Sequence, residues 1–109
     1  MKDITLRISG SITIGEGDTQ LHNMVRNALK DGYEIIILDL AKVTYMDSSA
    51  VGEVAASFAS AKSKNCQLAL SNLPPRIKKL LQIMAFLDII PVFDSNEDAL
   101  QILRRRGKK

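Results

Sequence analysis

The feature that most constrains the fold of this sequence is one apolar run at residues 34–40, which reads EIIILDL. The run has the length of a β-strand, and it lacks the alternation of apolar and polar residues that a strand with one wet face shows. Continuous apolar strands are typical of the middle of a sheet that has helices on both faces. The sequence therefore favours an α/β fold built around this strand.

Residues 45–52, which read YMDSSAVG, join this strand to an Ala-rich segment that is predicted to be helical to about Lys64. Asp47 and Ser48 are both good N-cap residues, because a short side-chain oxygen can accept from an N–H of the first turn. Ser48 and Ser49 would place two hydroxyls at the positive end of the helix dipole, where a phosphate is well tolerated. The simpler interpretation is that Asp47 or Ser48 only caps the helix.

The rest of the chain alternates strands and helices. The alternation of Ile4, Leu6 and Ile8, with a turn at Ser9-Gly10, predicts that a hairpin or a bent strand pair opens the sheet. A first helix is predicted to start near Asp18 or Thr19 and to end at Gly32. The later elements are predicted as a strand at 66–70, a helix after Pro75, a strand at 89–93 and a helix after Ser95. The expected architecture is a single α/β domain over residues 1–109, with a mixed sheet covered by about four helices.

Length and composition agree with one small globular domain. The 109 residues are sufficient for one core, and 46% of them are hydrophobic. The single cysteine, Cys66, is expected to fill the core, and with one histidine in the chain no metal site is expected. No apolar run is long enough for membrane insertion, and the N-terminus lacks the apolar region of a signal peptide, so a cytoplasmic protein is expected.

The net charge of +3 is concentrated at the C-terminal end. Residues 1–73 carry seven Lys/Arg and eight Asp/Glu, whereas residues 74–109 carry eight Lys/Arg and four Asp/Glu. Most of the excess lies in the basic tail at residues 104–109. Because no aromatic residues are interleaved with these charges to stack on bases, direct nucleic-acid binding is not expected. A basic end complements the C-terminal dipole of a last helix instead.

Residues 43–52, which read VTYMDSSAVG, resemble the signature of STAS domains, the family of bacterial anti-sigma factor antagonists. The usual form of that signature is V-x-[YF]-[IM]-D-S-[ST]-G-[LIV]-G. Residues 8–12 resemble an early turn of the family, and residues 70–77 and 80–83 resemble its penultimate strand and helix. The resemblance thus spans nearly the whole chain. Ala50 stands where the family most often has Gly, which bears on how closely a partner can approach.

The resemblance implies partner switching and no catalysis. In this family the unmodified domain binds an anti-sigma factor serine kinase that otherwise sequesters a sigma factor. The kinase phosphorylates the first serine of the motif, here Ser48, and a serine phosphatase reverses the modification. No cofactor is implied. The residues expected to bind the partner are Asp47, Ser48, Ser49, Ala50, Gly52, Glu53, Ala56 and Ser57, with Ser60 and residues 15–18 at the rim.

Two alternatives remain open at this point. A STAS domain can instead be a non-phosphorylated scaffold, either as an accessory subunit of a membrane transporter ATPase or in a stress-signalling complex. A small hydrolase that uses Ser48 or Ser49 is the third possibility. It lacks an evident base, because His22 is predicted to be exposed and no G-x-S-x-G elbow accompanies it.

Overall fold

A computed structural model describes residues 2–84 and 88–107. Within these residues, strands and helices alternate in the order β1 (Asp3–Ile12), α1 (Glu16–Lys30), β2 (Ile35–Met46), α2 (Ser48–Ser63), β3 (Gln67–Ser71), α3 (Pro75–Ile83), β4 (Val92–Phe93) and α4 (Asn96–Gly107). The predicted α/β class and the expected number of helices are confirmed. No helix in the described part of the chain is long and apolar enough to cross a membrane.

The sheet has the strand order β1-β2-β3-β4, and each of its three pairings is parallel across residues 2–84 and 88–107. The expectation of a mixed sheet is therefore corrected. A mixed sheet was expected because an opening hairpin was predicted, and that hairpin is also wrong. The chain does not reverse at Ser9-Gly10. Gly10 adopts a φ of 78°, and the pairing of β1 with β2 shifts register on either side of Ser9-Gly10, as in a β-bulge. Strand β1 then continues beside β2 to Ile12.

Strand β2 is central, as its apolar run predicted. The side chains of Ile35, Ile36, Ile37 and Leu38 are 0% exposed. Successive side chains of a strand point to opposite faces of the sheet, so alternate residues of β2 belong to two separate hydrophobic clusters. Ile36 and Leu38 pack in the larger cluster with residues of α1, α2 and α3, namely Leu21, Val25, Val51, Val54, Ile77 and Leu81. Ile35 and Ile37 pack in the smaller cluster with Ala69, Ala99 and Leu103, so α4 covers the second face.

A polar network holds the start of α4 against the sheet. The Asn96 side-chain amide donates to Asp39 Oδ2 at 3.0 Å, and the Ser71 hydroxyl donates to Asn96 Oδ1 at 2.5 Å. Asp39 is 7% exposed and Ser71 is 0% exposed. Burial raises the pKa of Asp39, but the hydrogen bonds from Asn96 and from the Ala41 N–H outweigh burial and leave the pKa below its usual range.

Several element boundaries differ from the sequence prediction. Helix α1 begins at Glu16 rather than near Asp18, because Gly15, with a φ of 100°, takes the N-cap position. Strand β4 is limited to two residues, Val92 and Phe93, in the described chain.

Cys66 is buried as predicted, and burial raises the pKa of its thiol to about 11, which keeps it unreactive at neutral pH.

The basic tail begins as the last turn of α4. Arg104 Nη2 lies 2.7 Å from a carboxylate oxygen of Asp3, so the first tail residue pairs with the start of β1. Arg105 and Arg106 continue the helix and are exposed. Lys108 and Lys109, which complete the predicted tail, lie outside the described residues.

Candidate functional site

The candidate site is the turn at which β2 ends and α2 begins. Asp47 is the N-cap of α2, and its Oδ1 accepts from the Ala50 N–H at 2.9 Å. Its second oxygen, Oδ2, accepts from the Ile14 N–H at 2.8 Å. Of the two cap residues that the sequence allowed, the structure selects Asp47. One carboxylate therefore caps α2 and also holds the loop that follows β1.

These hydrogen bonds determine the charge of Asp47. The Ala50 N–H first, and then the Ile14 N–H, stabilise the carboxylate and lower its pKa below the ordinary value. Asp47 is therefore ionised at neutral pH. A fixed negative charge lies one residue before Ser48, where any anion added to that serine would meet it.

Ser48 is the first residue of α2, and its side chain is exposed. Within the described residues its hydroxyl takes part in no side-chain hydrogen bond, whereas Ser49 is half-buried. Because Asp47 provides the cap, the Ser48 hydroxyl has no structural function at the helix end. It is free to react with, or to contact, a second molecule.

Two residues that were predicted to bind a partner do not reach the surface. Ala50 is 0% exposed, and its methyl group packs in the main core, so this Ala-for-Gly difference does not affect how closely a partner can approach. Ser57 is 3% exposed. The Ser57 hydroxyl donates to Glu53 Oε2 at 3.3 Å at the seam with α1, so Ser57 does not lie on an exposed face of α2. Both predictions are corrected.

Glu53 connects α2 to α1 and is half-buried. His22 Nδ1 lies 3.2 Å from the same Glu53 oxygen that accepts from Ser57. The single histidine is thus engaged with Glu53, and it bonds to neither serine of the turn. Gly52, Ala56 and Ser60 are exposed on α2.

The sequence reasoning missed two large apolar side chains near the turn. Ile14 is 74% exposed and Tyr45 is 55% exposed. Ile14 belongs to the loop that Asp47 holds, and Tyr45 lies beside Ser11 in the β1–β2 pairing, two residues before Asp47. Ile14 lies in the loop between β1 and α1, so its exposure follows from the position of that loop and not from the local sequence pattern.

The predicted rim at residues 15–18 lies at this end of the sheet. The last residues of β1 and β2 pair with each other, Ile12 with Met46, and α1 starts directly after β1. Gly17 is closely packed there, because a Cβ at that position would come within 3.0 Å of the Ile12 Cα. The first turns of α1 and α2 are therefore neighbours at one edge of the molecule.

This fold and this turn define a class of protein. It is a small α/β domain with an unengaged serine at the N-terminus of a central helix, next to a rigid loop and exposed apolar side chains. The STAS domain family model matches residues 2–99. The chain belongs to the STAS domain family.

Individual relatives agree with this family. An anti-sigma-B factor antagonist of Bacillus subtilis is 30% identical over 99 residues, which cover 91% of this chain and 89% of the relative. A crystal structure of a protein from Thermotoga maritima superposes with a TM-score of 0.85 at 22% identity, covering 94% of this chain and 87% of that chain. The phosphorylated form of the Bacillus cell fate determinant SpoIIAA superposes with a TM-score of 0.72 at 20% identity, covering 94% and 91%.

Proposed function

We propose that this protein is an anti-sigma factor antagonist whose binding is controlled by phosphorylation of Ser48. In this proposal the unphosphorylated form binds an anti-sigma factor serine kinase, which then releases its sigma factor or regulator. Phosphorylation of Ser48 ends the binding, and a serine phosphatase restores it. The name of the Bacillus subtilis relative supports the antagonist role.

The observation that carries the proposal is the state of Ser48. Its side chain is exposed at the first position of α2, and the neighbouring Asp47 performs the capping function that would otherwise occupy the serine. Transfer of the γ-phosphoryl group of ATP breaks its bond to the ADP oxygen and replaces the O–H bond of Ser48 with an O–P bond, and ADP and the serine proton are released. The fold does not depend on that hydrogen. A structure of SpoIIAA in a phosphorylated form supports the idea that this fold tolerates such a group.

The electrostatics of the turn supply the switch. A phosphate adds about −1.5 to −2 charges at the N-terminus of α2, where the helix dipole stabilises an anion. The partner, in contrast, would meet this phosphate together with the ionised Asp47. An interface built around a neutral hydroxyl then suffers repulsion and desolvation. The modification therefore weakens the complex more than it affects the fold.

We place the partner footprint on the exposed residues around the turn. Gly52 and Ala56 extend it along α2, and the loop at Ile14 extends it toward α1. Tyr45 and Ile14 are the large side chains at this edge, and aromatic and large apolar residues contribute most of the binding energy at protein interfaces. Because Asp47 holds the Ile14 loop, little conformational freedom is lost on binding.

Phosphosite mapping tests the proposal. The protein is incubated with ATP and its cognate serine kinase, which is captured from the source cell by the unmodified protein, and the phosphopeptides are identified by mass spectrometry. We expect modification at Ser48, and none with the Ser48→Ala variant. Modification confined to Ser49 or Ser60 would refute the assignment. A partner that is captured but never phosphorylates the domain would favour the non-phosphorylated scaffold.

A further inference from the structure

A groove runs along the seam between α1 and α2. Its volume is about 400 Å³, which is within the usual range for small-molecule sites. The residues that line it recur at helical spacing on both helices, so each helix presents one continuous stripe to the groove. These lining residues are His22, Val25, Arg26, Leu29, Lys30, Glu53, Ala56, Ser57, Ser60 and Lys64.

The two ends of the groove differ in charge. Arg26, Lys30 and Lys64 lie toward the C-terminal ends of the two helices, and all three side chains are exposed. The ion pairs found in residues 2–84 and 88–107 involve none of these three cations. Lys30 and Lys64 also complement helix C-termini, but Arg26 lies in the interior of α1, where the dipole gives no reason for a cation.

The opposite end carries the one carboxylate of the groove, Glu53. This carboxylate is engaged by His22 at 3.2 Å and by the Ser57 hydroxyl at 3.3 Å, so it is fixed in place. Between the two ends, the walls are formed by the apolar side chains of Val25, Leu29 and Ala56. From His22 to Lys30 the groove extends about 12 Å along α1, at about 1.5 Å per residue.

We propose that this groove binds a free anionic amphiphile, a molecule with a medium-length apolar body and one carboxylate or phosphate group. The anionic group would contact Arg26, Lys30 and Lys64, and the apolar body would lie along Leu29 and Ala56 toward Glu53. Because Glu53 repels a second anionic group at the far end, the site selects molecules with one anionic group over molecules with an anionic group at each end. This site is separate from the Ser48 hydroxyl and does not depend on phosphorylation.

Sodium decanoate, used below its micelle-forming concentration, is the probe for this proposal. Titration of the isotope-labelled protein, followed by NMR chemical shifts, should give saturable changes concentrated at the groove residues of α1 and α2. Decanedioate, the dianion of the same chain length, and neutral decanol should each bind at least about tenfold more weakly. Equal binding of decanoate and decanedioate would overturn the proposal.

Matched variants separate the groove from general adsorption. Arg26→Glu and Lys64→Glu should each weaken decanoate binding at least about tenfold, whereas Lys78→Glu, an equal charge change at an exposed site on α3, should leave it unchanged. Ala56→Leu should block the groove, and Ala59→Leu, on the same helix outside the groove lining, should not. Equal effects of the groove variants and their controls would refute the site.

Two other kinds of occupant, a membrane surface and a protein segment, are tested by titration with anionic lipid vesicles and with an acidic amphipathic peptide. If anionic lipid vesicles bind the groove and free decanoate does not, the surface recognises a membrane and the proposal is wrong. If an acidic amphipathic peptide shifts the groove residues where decanoate has no effect, the occupant is a protein segment and the proposal is equally wrong. Ser48→Ala should bind decanoate as the unmodified protein does, so failure here leaves the phosphorylation proposal unaffected.

Discussion

At the scale of single residues, Asp47 organises the candidate site. It uses both carboxylate oxygens, one on the Ala50 N–H and one on the Ile14 N–H, and thereby leaves Ser48 unengaged. The sequence allowed either Asp47 or Ser48 as the cap, and local pattern alone gives no way to decide between them. The bond to Ile14 joins residues 33 positions apart, so it follows from the β1–β2 pairing and not from the motif.

The first prediction concerns the pH dependence of stability. Asp47 has a lowered pKa in the folded protein, so its contribution to the free energy of unfolding is complete above the unfolded value of about 3.9 and is lost as pH falls through the folded pKa. Asp47→Asn can still cap Ala50 but cannot accept from Ile14 through a second oxygen. We expect urea unfolding to show a variant that is less stable at neutral pH, with a difference that narrows in acid.

Asp94→Asn is the control for this prediction, because Asp94 is exposed and takes part in no side-chain hydrogen bond within the described residues. It should leave stability unchanged at both pH values. A difference between Asp47→Asn and the unmodified protein that stays constant from neutral to acid pH would show that the carboxylate charge is not involved.

The second prediction concerns Gly52. This residue is exposed in the interior of α2, and a Cβ at that position would meet nothing within 4 Å. Because Gly is less favourable than Ala in a helix, Gly52→Ala should raise the free energy of unfolding by about 0.5–1 kcal/mol. If a partner packs closely on α2, the same methyl group should lower binding affinity. Thermal unfolding and partner titration measure the two effects, and an unchanged affinity would place Gly52 outside the footprint.

At the scale of elements, the sequence predicted what local pattern controls. The central strand followed from its continuous apolar run, α2 from its cap and small residues, and α3 from Pro75 at its start. The opening hairpin was wrong because Ser9-Gly10 has the composition of a turn but forms a bulge. Ser57 was wrongly predicted to bind a partner, because its burial depends on how α1 packs against α2 and not on local sequence.

The third prediction tests how α4 is held to the sheet. Asn96→Ala removes a group that donates to Asp39 and accepts from Ser71, and both partners are buried. Leaving buried polar groups unsatisfied should lower the free energy of unfolding by about 1–3 kcal/mol. Gln101→Ala, at an exposed position of the same helix, should change it by less than about 0.5 kcal/mol. Equal losses in chemical denaturation would mean that the network is not stabilising.

At the scale of the whole molecule, the parallel sheet brings the ends of β1 and β2 and the starts of α1 and α2 to one edge. The family and the fold class were predictable because the motif and the alternation of elements are local features of the sequence. The features of the surface were not predictable from the sequence. The exposure of Ile14 and Tyr45, like the groove between α1 and α2, depends on contacts between distant segments.

The fourth prediction uses two isoleucines with the same exposure. Ile14 lies at the proposed interface and Ile83 ends α3, and each is 74% exposed. Ile14→Ala should weaken partner binding by about 1 kcal/mol or more, as is typical of an interface anchor, whereas Ile83→Ala should not change it. Calorimetric titration with the captured partner gives both affinities. Equal affinities of the two variants would remove Ile14 from the footprint.

The most direct test of the whole account is the affinity of the unphosphorylated and the phosphorylated protein for the same partner kinase. A nonhydrolysable ATP analogue prevents turnover during the measurement. We expect tight binding by the unmodified protein and by Ser48→Ala, and a loss of about tenfold or more on phosphorylation of Ser48 or in Ser48→Asp. Because Asp47 is the cap, Ser48→Ala should remain as stable as the unmodified protein within about 0.5 kcal/mol. Equal affinity of the phosphorylated and unphosphorylated forms would contradict the account.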